Sequence, residues 1–371
     1  MNIRVDRGEF LKTLKIAEKA ISENKIRPII SCMYLETVGE DKLVLKGTNL
    51  ELTITSEMPC QVSEGGRAVF SYQLVEEYLK EISDKEINLV VTDNLLIIET
   101  SDSASEFTVM DSEEYPKVSS EIQGEAHRFS REKFAEMLEK TKFAASVSTD
   151  NLAINCVRLE IEENKIKMAA SDTYRLVYLE EDIQCDEEMK VSIPLNTVDA
   201  VIKTLRTLND EELKFSFKEN QISFRIGNTV ILSRVIGLAF PDYKGIMKAV
   251  SYNKQISVDV NEFIKVLKRV QIFVKNNAES KYSAVFSLSE GKLNINGVSE
   301  IAKINEQIEV EHTGEDIKIS LNVRFLLDFI QYLDREKRLI IDLLSSSSAI
   351  NLRNEDNDRY SYIAMPLALR D

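Results

Sequence analysis

The sequence has 371 residues, enough for two or three domains of ordinary size, and 43% of them are apolar, enough for real cores. Its formal charge of −15 and pI near 4.9 exclude a chain whose whole surface seeks nucleic acid. No stretch reaches the roughly 20 uncharged apolar residues that span a bilayer, and the N-terminus, MNIRVDRGEF, has no apolar signal region, so a cytoplasmic protein without membrane contact is expected.

In chain order, the first predicted helix is Phe10–Ile21, with Phe10, Leu14, Ala17 and Ile21 on one face and Lys12, Lys15 and Lys19 on the other. A β-hairpin follows, Cys32–Glu36 and Lys42–Asn49, bridged by Val38–Asp41. A short strand, Val69–Gln73, enters a second helix, Leu74–Ile82. A strand meander, Asn88–Val91, Leu95–Glu99 and Phe107–Met110, then closes the unit.

The same order returns twice. In the middle copy, Phe134, Leu138 and Thr141 line up against Glu136, Glu139 and Lys140, and the hairpin is Cys156–Glu160 with Lys165–Asp172. The entry Val191–Asn196, the helix Thr197–Leu208 and the strands Lys214–Phe217, Gln221–Ile226 and Val230–Val235 complete it. The last copy opens on Val260–Lys275, where Phe263, Leu267, Val270 and Val274 share a narrow face opposite Lys265, Lys268, Arg269 and Lys275. Its remaining elements are Ala284–Ser287, Lys292–Ser299, Ile317–Asn322, the helix Val323–Leu333, and the strands Leu339–Leu343, Ala349–Leu352 and Tyr360–Met365. Gln73, Asn196 and Asn322 stand where the second helices should begin, and asparagine is a good N-cap.

Phe10, Phe134 and Phe263 are 124 and 129 residues apart, a period that means a triplicated domain rather than a solenoid. Boundaries near Tyr115–Glu125 and Asp242–Tyr252 give three domains, 1–120, 126–245 and 252–371. Each has two helices on one face of antiparallel sheet of roughly eight strands, which is an α+β class. Repeated with one connectivity, such units can set their helices on a common side of a curved array, basic inside and acidic outside. Val260–Lys275 is net +3 and Arg7–Ile21 is net +2, so the rest of the chain is near −20. One charged helix face is ordinarily just solvated, but its recurrence on two related helices weakens that explanation.

Catalytic chemistry is not apparent. There is no P-loop, and Gly65-Gly66 opens no helix. His127 and His312 fall in expected linker or loop sequence without a nucleophile pattern. Asp111, Glu113 and Glu114 suit a solvated turn, and Ser345–Ser348 a hairpin connection. Cys32, Cys60, Cys156 and Cys185 have no C-x-x-C spacing and are expected as buried thiols, so neither metal, disulfide nor cofactor is expected.

Ala169-Ala-Ser-Asp-Thr-Tyr-Arg-Leu176, Phe240-Pro-Asp-Tyr243 and Tyr362-Ile-Ala-Met-Pro-Leu367 have no necessity from the repeat alone. With the three repeats, their order and the length, they resemble the bacterial DNA polymerase III β subunit, the replicative sliding clamp, over the whole chain. The resemblance implies a non-enzymatic processivity factor whose three domains form half of a closed ring. A homodimer would encircle double-stranded DNA without sequence preference and tether the replicative polymerase subunit, the clamp loader and other clamp-binding-motif proteins. It implies DNA contacts from Lys12, Lys15, Lys19, Lys203, Arg206, Lys265, Lys268 and Arg269, with Lys25 and Arg27 substituting for an arginine the family often has at Asn24. Diffuse cations that hold phosphates without reading bases suit sliding.

The resemblance further implies a partner-peptide pocket from Ile154, Ser171, Thr173, Tyr174, Arg175, Leu176, Pro241, Ile246, Phe325, Ile363, Ala364, Met365, Pro366 and Leu367. It places Phe107 and Val109 against Ile272 and Phe273 of a second copy at the dimer interface. Ile272 independently falls about 180° from Phe263 on the helix wheel, where an apolar group has no core to enter. The chain departs from the family at Tyr174, commonly histidine, and in running past Leu367 to Asp371. Two other functions compete: a repeat-built protein-interaction scaffold without DNA binding, favoured by the net charge and the acidic middle helix, and an acidic cytosolic hydrolase, which lacks a catalytic set.

Overall fold

The structure is a computed structural model that describes residues 1–122, 124–185, 187–210, 212–277 and 280–369; the end of the C-terminal extension, Arg370 and Asp371, lies outside them. Its seven helices among the described residues are α1 (Arg7–Ala17), α2 (Tyr72–Glu81), α3 (Arg131–Lys142), α4 (Leu195–Thr207), α5 (Tyr243–Lys248), α6 (Val260–Val274) and α7 (Val323–Ile330). The chain makes two compact units, 1–136 with 196–236 and 137–195 with 237–371.

The first unit is built on thirteen antiparallel strands among the described residues, running from His127–Ser130 at one edge to Gln61–Glu64 at the other. α1 starts where the Asp6 carboxylate accepts a hydrogen bond from the Glu9 amide, 3.0 Å, and Glu9 lies in the favourable first turn. Phe10, Leu14 and Ala17, together with Val75 and Leu79 of α2, are fully buried against the hairpin Met33–Val38 and Lys42–Thr48. At the start of α3, Phe134 is enclosed by Phe129, Phe215 and Phe224, with ring centroids 5.2 to 6.3 Å away.

The second unit holds a nine-stranded and a four-stranded antiparallel sheet among its described residues. α6 repeats the logic of α1: Asp259 accepts from the Glu262 amide at 2.7 Å, and Phe263, Leu267, Val270 and Val274 are fully buried. The hairpins turn at Glu163-Asn164 and Glu290-Gly291, whose backbones are left-handed at both positions (φ 54° and 56°, 50° and 75°) as a two-residue turn requires.

Several expectations need correction. α1 ends at Ala17 and continues as a 3-10 turn, Glu18–Ala20, leaving Ile21 extended although it still packs on the core. α2 begins at Tyr72, not after Gln73, and its N-cap Ser71 makes no side-chain bond. Asn196 lies one residue inside α4, whereas Asn322 does cap α7, accepting from the Arg324 and Phe325 amides. The boundary stretch Asp242–Tyr252 contains α5, nucleated by the Asp242 carboxylate on the Gly245 amide, and six residues are too few to show a helical period. His127 and His312 belong to short strands, His127–Ser130 and Glu311–Thr313, rather than loops. Cys32 and Cys156 are buried, but Cys60 and Cys185 are only half-buried.

Close approach of helix to strand imposes a residue size. A Cβ on Gly47 would lie 2.3 Å from the Ala17 carbonyl oxygen, and one on Gly297 would lie 2.8 Å from Val274 Cγ1. Gly47→Ala must displace backbone, so an overpacking cost of about 1–3 kcal/mol is expected. Thermal unfolding should show a fall of at least about 2 °C, whereas Gly237→Ala, which meets no atom within 4 Å, leaves the transition in place.

Candidate functional site

In the first unit, α1 and α4 flank a groove of about 510 Å³ whose floor is Leu11, Ile16 and Thr204 and whose rim carries Lys12, Lys15, Lys19, Lys203 and Arg206. The buried faces of the two helices set this rim, because the residues between their core positions have only the groove to enter. Lys19 is engaged by Glu18. Lys25 and Arg27 are exposed in the turn after α1, and Asn24 organises that turn by accepting from the amides of Ile26, 3.0 Å, and Arg27, 2.8 Å. In the second unit, Lys265 and Lys268 are exposed on α6, while Arg269 forks onto Glu306 with both bonds at 2.7 Å. That fork raises the Arg269 guanidinium and lowers the Glu306 carboxyl from their ordinary values. Among the described residues, Lys12, Lys15, Lys203, Lys265 and Lys268 make no ion pair.

The fourteen predicted pocket residues all lie in the second unit, and they divide into a buried floor and an exposed rim. Strand Arg175–Asp182 pairs with Tyr360–Ala364, setting Leu176 opposite Ile363. These two pack with Ala169 and Tyr243 in one cluster, so Leu176 and Ile363 are floor. Ile154, Ser171 and Ala364 are likewise buried, and Pro241, Phe325, Pro366 and Leu367 are half-buried. Tyr174, Ile246 and Met365 are exposed by 64%, 43% and 44%.

The turn before the strand is over-determined. Ser171 Oγ accepts from the Thr173 amide and donates to the Arg175 carbonyl, and Asp172 accepts from the Tyr174 and Arg175 amides, which holds Thr173 at φ 77°. The C-terminal segment is fixed by backbone bonds from Met365 to Tyr174 and from Leu367 to Ser320. Arg175 is not an open anchor. Its guanidinium donates to Asp172 at 2.9 Å, Asp328 at 2.7 Å and the Phe143 carbonyl at 2.8 Å, and lies over the Phe325 ring at 4.2 Å.

Beside this floor lies a charge network that sequence reasoning missed. Glu160, only 6% exposed, accepts from Arg158 at 3.0 Å and from the Tyr243 phenol at 2.9 Å, and pairs with Lys244 at 3.1 Å. Glu162 accepts from Lys167 at 2.7 Å and from Lys244, and pairs with Lys190 at 3.2 Å. Lys167 and then Lys244 hold the Glu162 carboxyl down at about 2. The available signal was the period-2 charge of Arg158, Glu160 and Glu162 facing Lys165 and Lys167 across the hairpin.

At the expected dimer positions, Phe107 and Val109 are half-buried on strand Ala104–Met110, which pairs with Leu95–Glu99 but meets Arg67–Phe70 only at Val109 and Met110. The rest of that strand is an open edge among the described residues. Ile272 on α6 is 63% exposed and Phe273 half-buried, and the four-stranded sheet ends on the strand Lys303–Glu309.

Among the described residues, no group of three or more His, Cys, Asp or Glu is placed to hold a metal ion, and no helix is long and apolar enough to cross a membrane. Repeated helices on antiparallel sheet with basic outward faces define a protein of the DNA-clamp class. The chain belongs to the DNA polymerase III beta subunit family: the N-terminal, central and C-terminal domains of that family match residues 1–119, 128–242 and 250–368. The beta sliding clamps of Staphylococcus epidermidis and Staphylococcus aureus are each 23% identical to it, over 99% of this chain and 99% of theirs. The DNA polymerase III beta subunit of Thermotoga maritima superimposes with a TM-score of 0.92 at 23% identity, and the sliding clamp of Bacillus subtilis with 0.92 at 18%, each over 100% of both chains.

The fold is therefore the three-domain α+β clamp fold. The family consists of sliding clamps, processivity factors with no catalytic site of their own, so the chain has the sliding-clamp function, and the hydrolase and DNA-free scaffold alternatives fall.

A carboxyl held at about 2 in the folded state and near 4.3 when unfolded stabilises fully above the upper value and loses that contribution as pH falls toward the lower one. Glu162→Gln should lower the unfolding temperature at pH 7, and its deficit against wild type should shrink as pH drops below about 4.3. Parallel thermal scans from pH 7 to pH 3.5 measure this; a deficit independent of pH would contradict the assignment.

Proposed function

We propose that two copies of this chain close head to tail into a ring around duplex DNA in the cytoplasm, each contributing three domains, 1–120, 126–245 and 252–371. The family matches at 1–119, 128–242 and 250–368 support this division. The observation that carries the ring is the recurrence of cations opposite a buried Phe-x-x-x-Leu face, half-buried Lys12 and exposed Lys15 on α1 and exposed Lys265 and Lys268 on α6. Lys12, Lys15, Lys203, Lys265 and Lys268 are the main phosphate contacts, with Lys19, Lys25, Arg27, Arg206 and Arg269 around them. Long cationic stems of this kind attract phosphates without reading bases, so the ring slides.

The dimer joins the edge strand carrying Phe107 and Val109 in one copy to the edge carrying Ile272 and Phe273 in its partner copy. Open strand edges and an isoleucine exposed opposite its helix's core face both favour association. The exposed rim Tyr174, Ile246 and Met365, over the Leu176 and Ile363 floor, receives a short hydrophobic peptide of the replicative polymerase, the clamp loader and other clamp-binding partners.

Ile272→Ala combined with Phe273→Ala should give monomers at micromolar concentration by light scattering. A mass still that of the dimer would refute the assigned interface.

Lys12→Ala, Lys15→Ala and Lys203→Ala together should weaken association with duplexes of any sequence alike. The slope of log K against log salt should flatten by about 0.9 for each phosphate no longer neutralised, while thermal stability stays within about 0.5 kcal/mol of wild type per site. An unchanged slope, or a preference for one sequence, would exclude these residues from the sliding surface.

A further inference from the structure

α5 is too short to hold itself, because its six residues make fewer than two turns of helix and nucleation is unfavourable. It carries Ile246 at the exposed rim of the proposed peptide pocket, and its first residue, Tyr243, packs on Leu176 and Ile363 of the floor. Polar bonds add direction to this apolar packing. The Tyr243 phenol donates to Glu160, and Lys244 reaches both Glu160 and Glu162. Glu160 is almost wholly buried and Glu162 half-buried, and each is engaged by further cations from the sheet. A charged bond to a carboxylate already desolvated and oriented is stronger and better directed than one to a mobile surface group.

The geometry points to Tyr243 and Lys244 as positioning residues that, through Glu160 and Glu162, lock α5 and so fix Ile246 at the rim where a partner peptide docks. The inference rests on the proposed peptide pocket and adds to it a tether that touches no peptide. With the tether intact, the rim is preorganised and a peptide binds without first ordering it. Without it, the floor cluster still buries Tyr243, but the polar register that sets the rotation of α5 is gone.

The test is fluorescence anisotropy with a fluorescein-labelled Ser-Leu-Leu-Phe-Leu-Ser hexapeptide, whose apolar side chains match the apolar floor and whose serines keep it soluble. Lys244→Ala should weaken binding about fivefold and Tyr243→Phe about twofold, with dimer mass and DNA association as in wild type. Lys244→Arg, which keeps the charge and the reach, should restore affinity. Met365→Glu, which charges the rim itself, should abolish binding and serves as the control for the pocket. Loss with Met365→Glu but wild-type affinity in Lys244→Ala and Tyr243→Phe overturns the tether and leaves the pocket standing. Wild-type affinity in Met365→Glu overturns the pocket and the tether with it. A loss in Lys244→Ala that Lys244→Arg does not restore, accompanied by an equal fall in unfolding temperature for both, assigns Lys244 to general stability and also overturns the inference.

Discussion

Two five-residue antiparallel ladders carry the architecture. In the first unit Leu52–Ser56 pairs with Thr229–Ser233, and in the second Arg175–Leu179 pairs with Tyr360–Ala364. Each ladder joins strands from different copies of the repeat, distant in sequence but adjacent in one sheet. Opening either would expose two strand edges at once, each with unpaired amides and carbonyls, so the copies are joined as firmly as strands within one copy. The first ladder is reinforced by a buried hydroxyl pair, Ser56 with Thr229 at 2.8 Å. The second is reinforced by Arg175, whose three acceptors come from Asp172, Asp328 and the Phe143 carbonyl.

That second ladder is also the floor of the proposed peptide pocket, and the coincidence constrains what the pocket can vary. Leu176 and Ile363 are register partners within it, so neither can change size without disturbing the joint. Arg175 is committed in the same way: removing it would strand two half-buried carboxylates, a larger loss than one surface contact. Variation is therefore confined to the rim. Tyr174, where the family commonly has histidine, is such a position, since its exposed ring enters no core and its backbone alone joins the ladder bond to Met365.

What was legible in the sequence follows physical range. Helices long enough to repeat a 3.6-residue period showed their faces, and Phe10, Phe134 and Phe263 are all fully buried as the wheels required. Hairpins showed through alternation. Elements too short to repeat their period several times did not, so α5 and the strands holding His127 and His312 look like linker or loop in sequence. The tight contacts at Gly47 and Gly297 depend on how close a helix end comes to a strand, a distance that no local pattern encodes. The side-chain partners of the expected site residues were not legible. The side chains of Arg175 and Arg269 are occupied by Asp328 and Glu306, partners set by tertiary structure, and that of Asn24 by its own turn.

The distribution of those partners bears on how an acidic chain can hold DNA without gripping it. A net charge of −15 repels phosphate at long range, but at physiological salt that repulsion is screened beyond about 8 Å. Within this distance the local cations decide. Several are already balanced: Arg269 by Glu306 and Lys19 by Glu18. The lysines without an ion pair among the described residues, Lys12, Lys15, Lys203, Lys265 and Lys268, are flexible point charges that form no fixed fork, unlike arginines. In the proposed ring this leaves a shallow, sequence-blind attraction, since each lysine exchanges one phosphate for the next at little cost. A fully unbalanced arginine surface would hold DNA more tightly and impede translocation, whereas in the proposed ring retention falls to closure, so the surface need only keep the duplex from sticking to any one place.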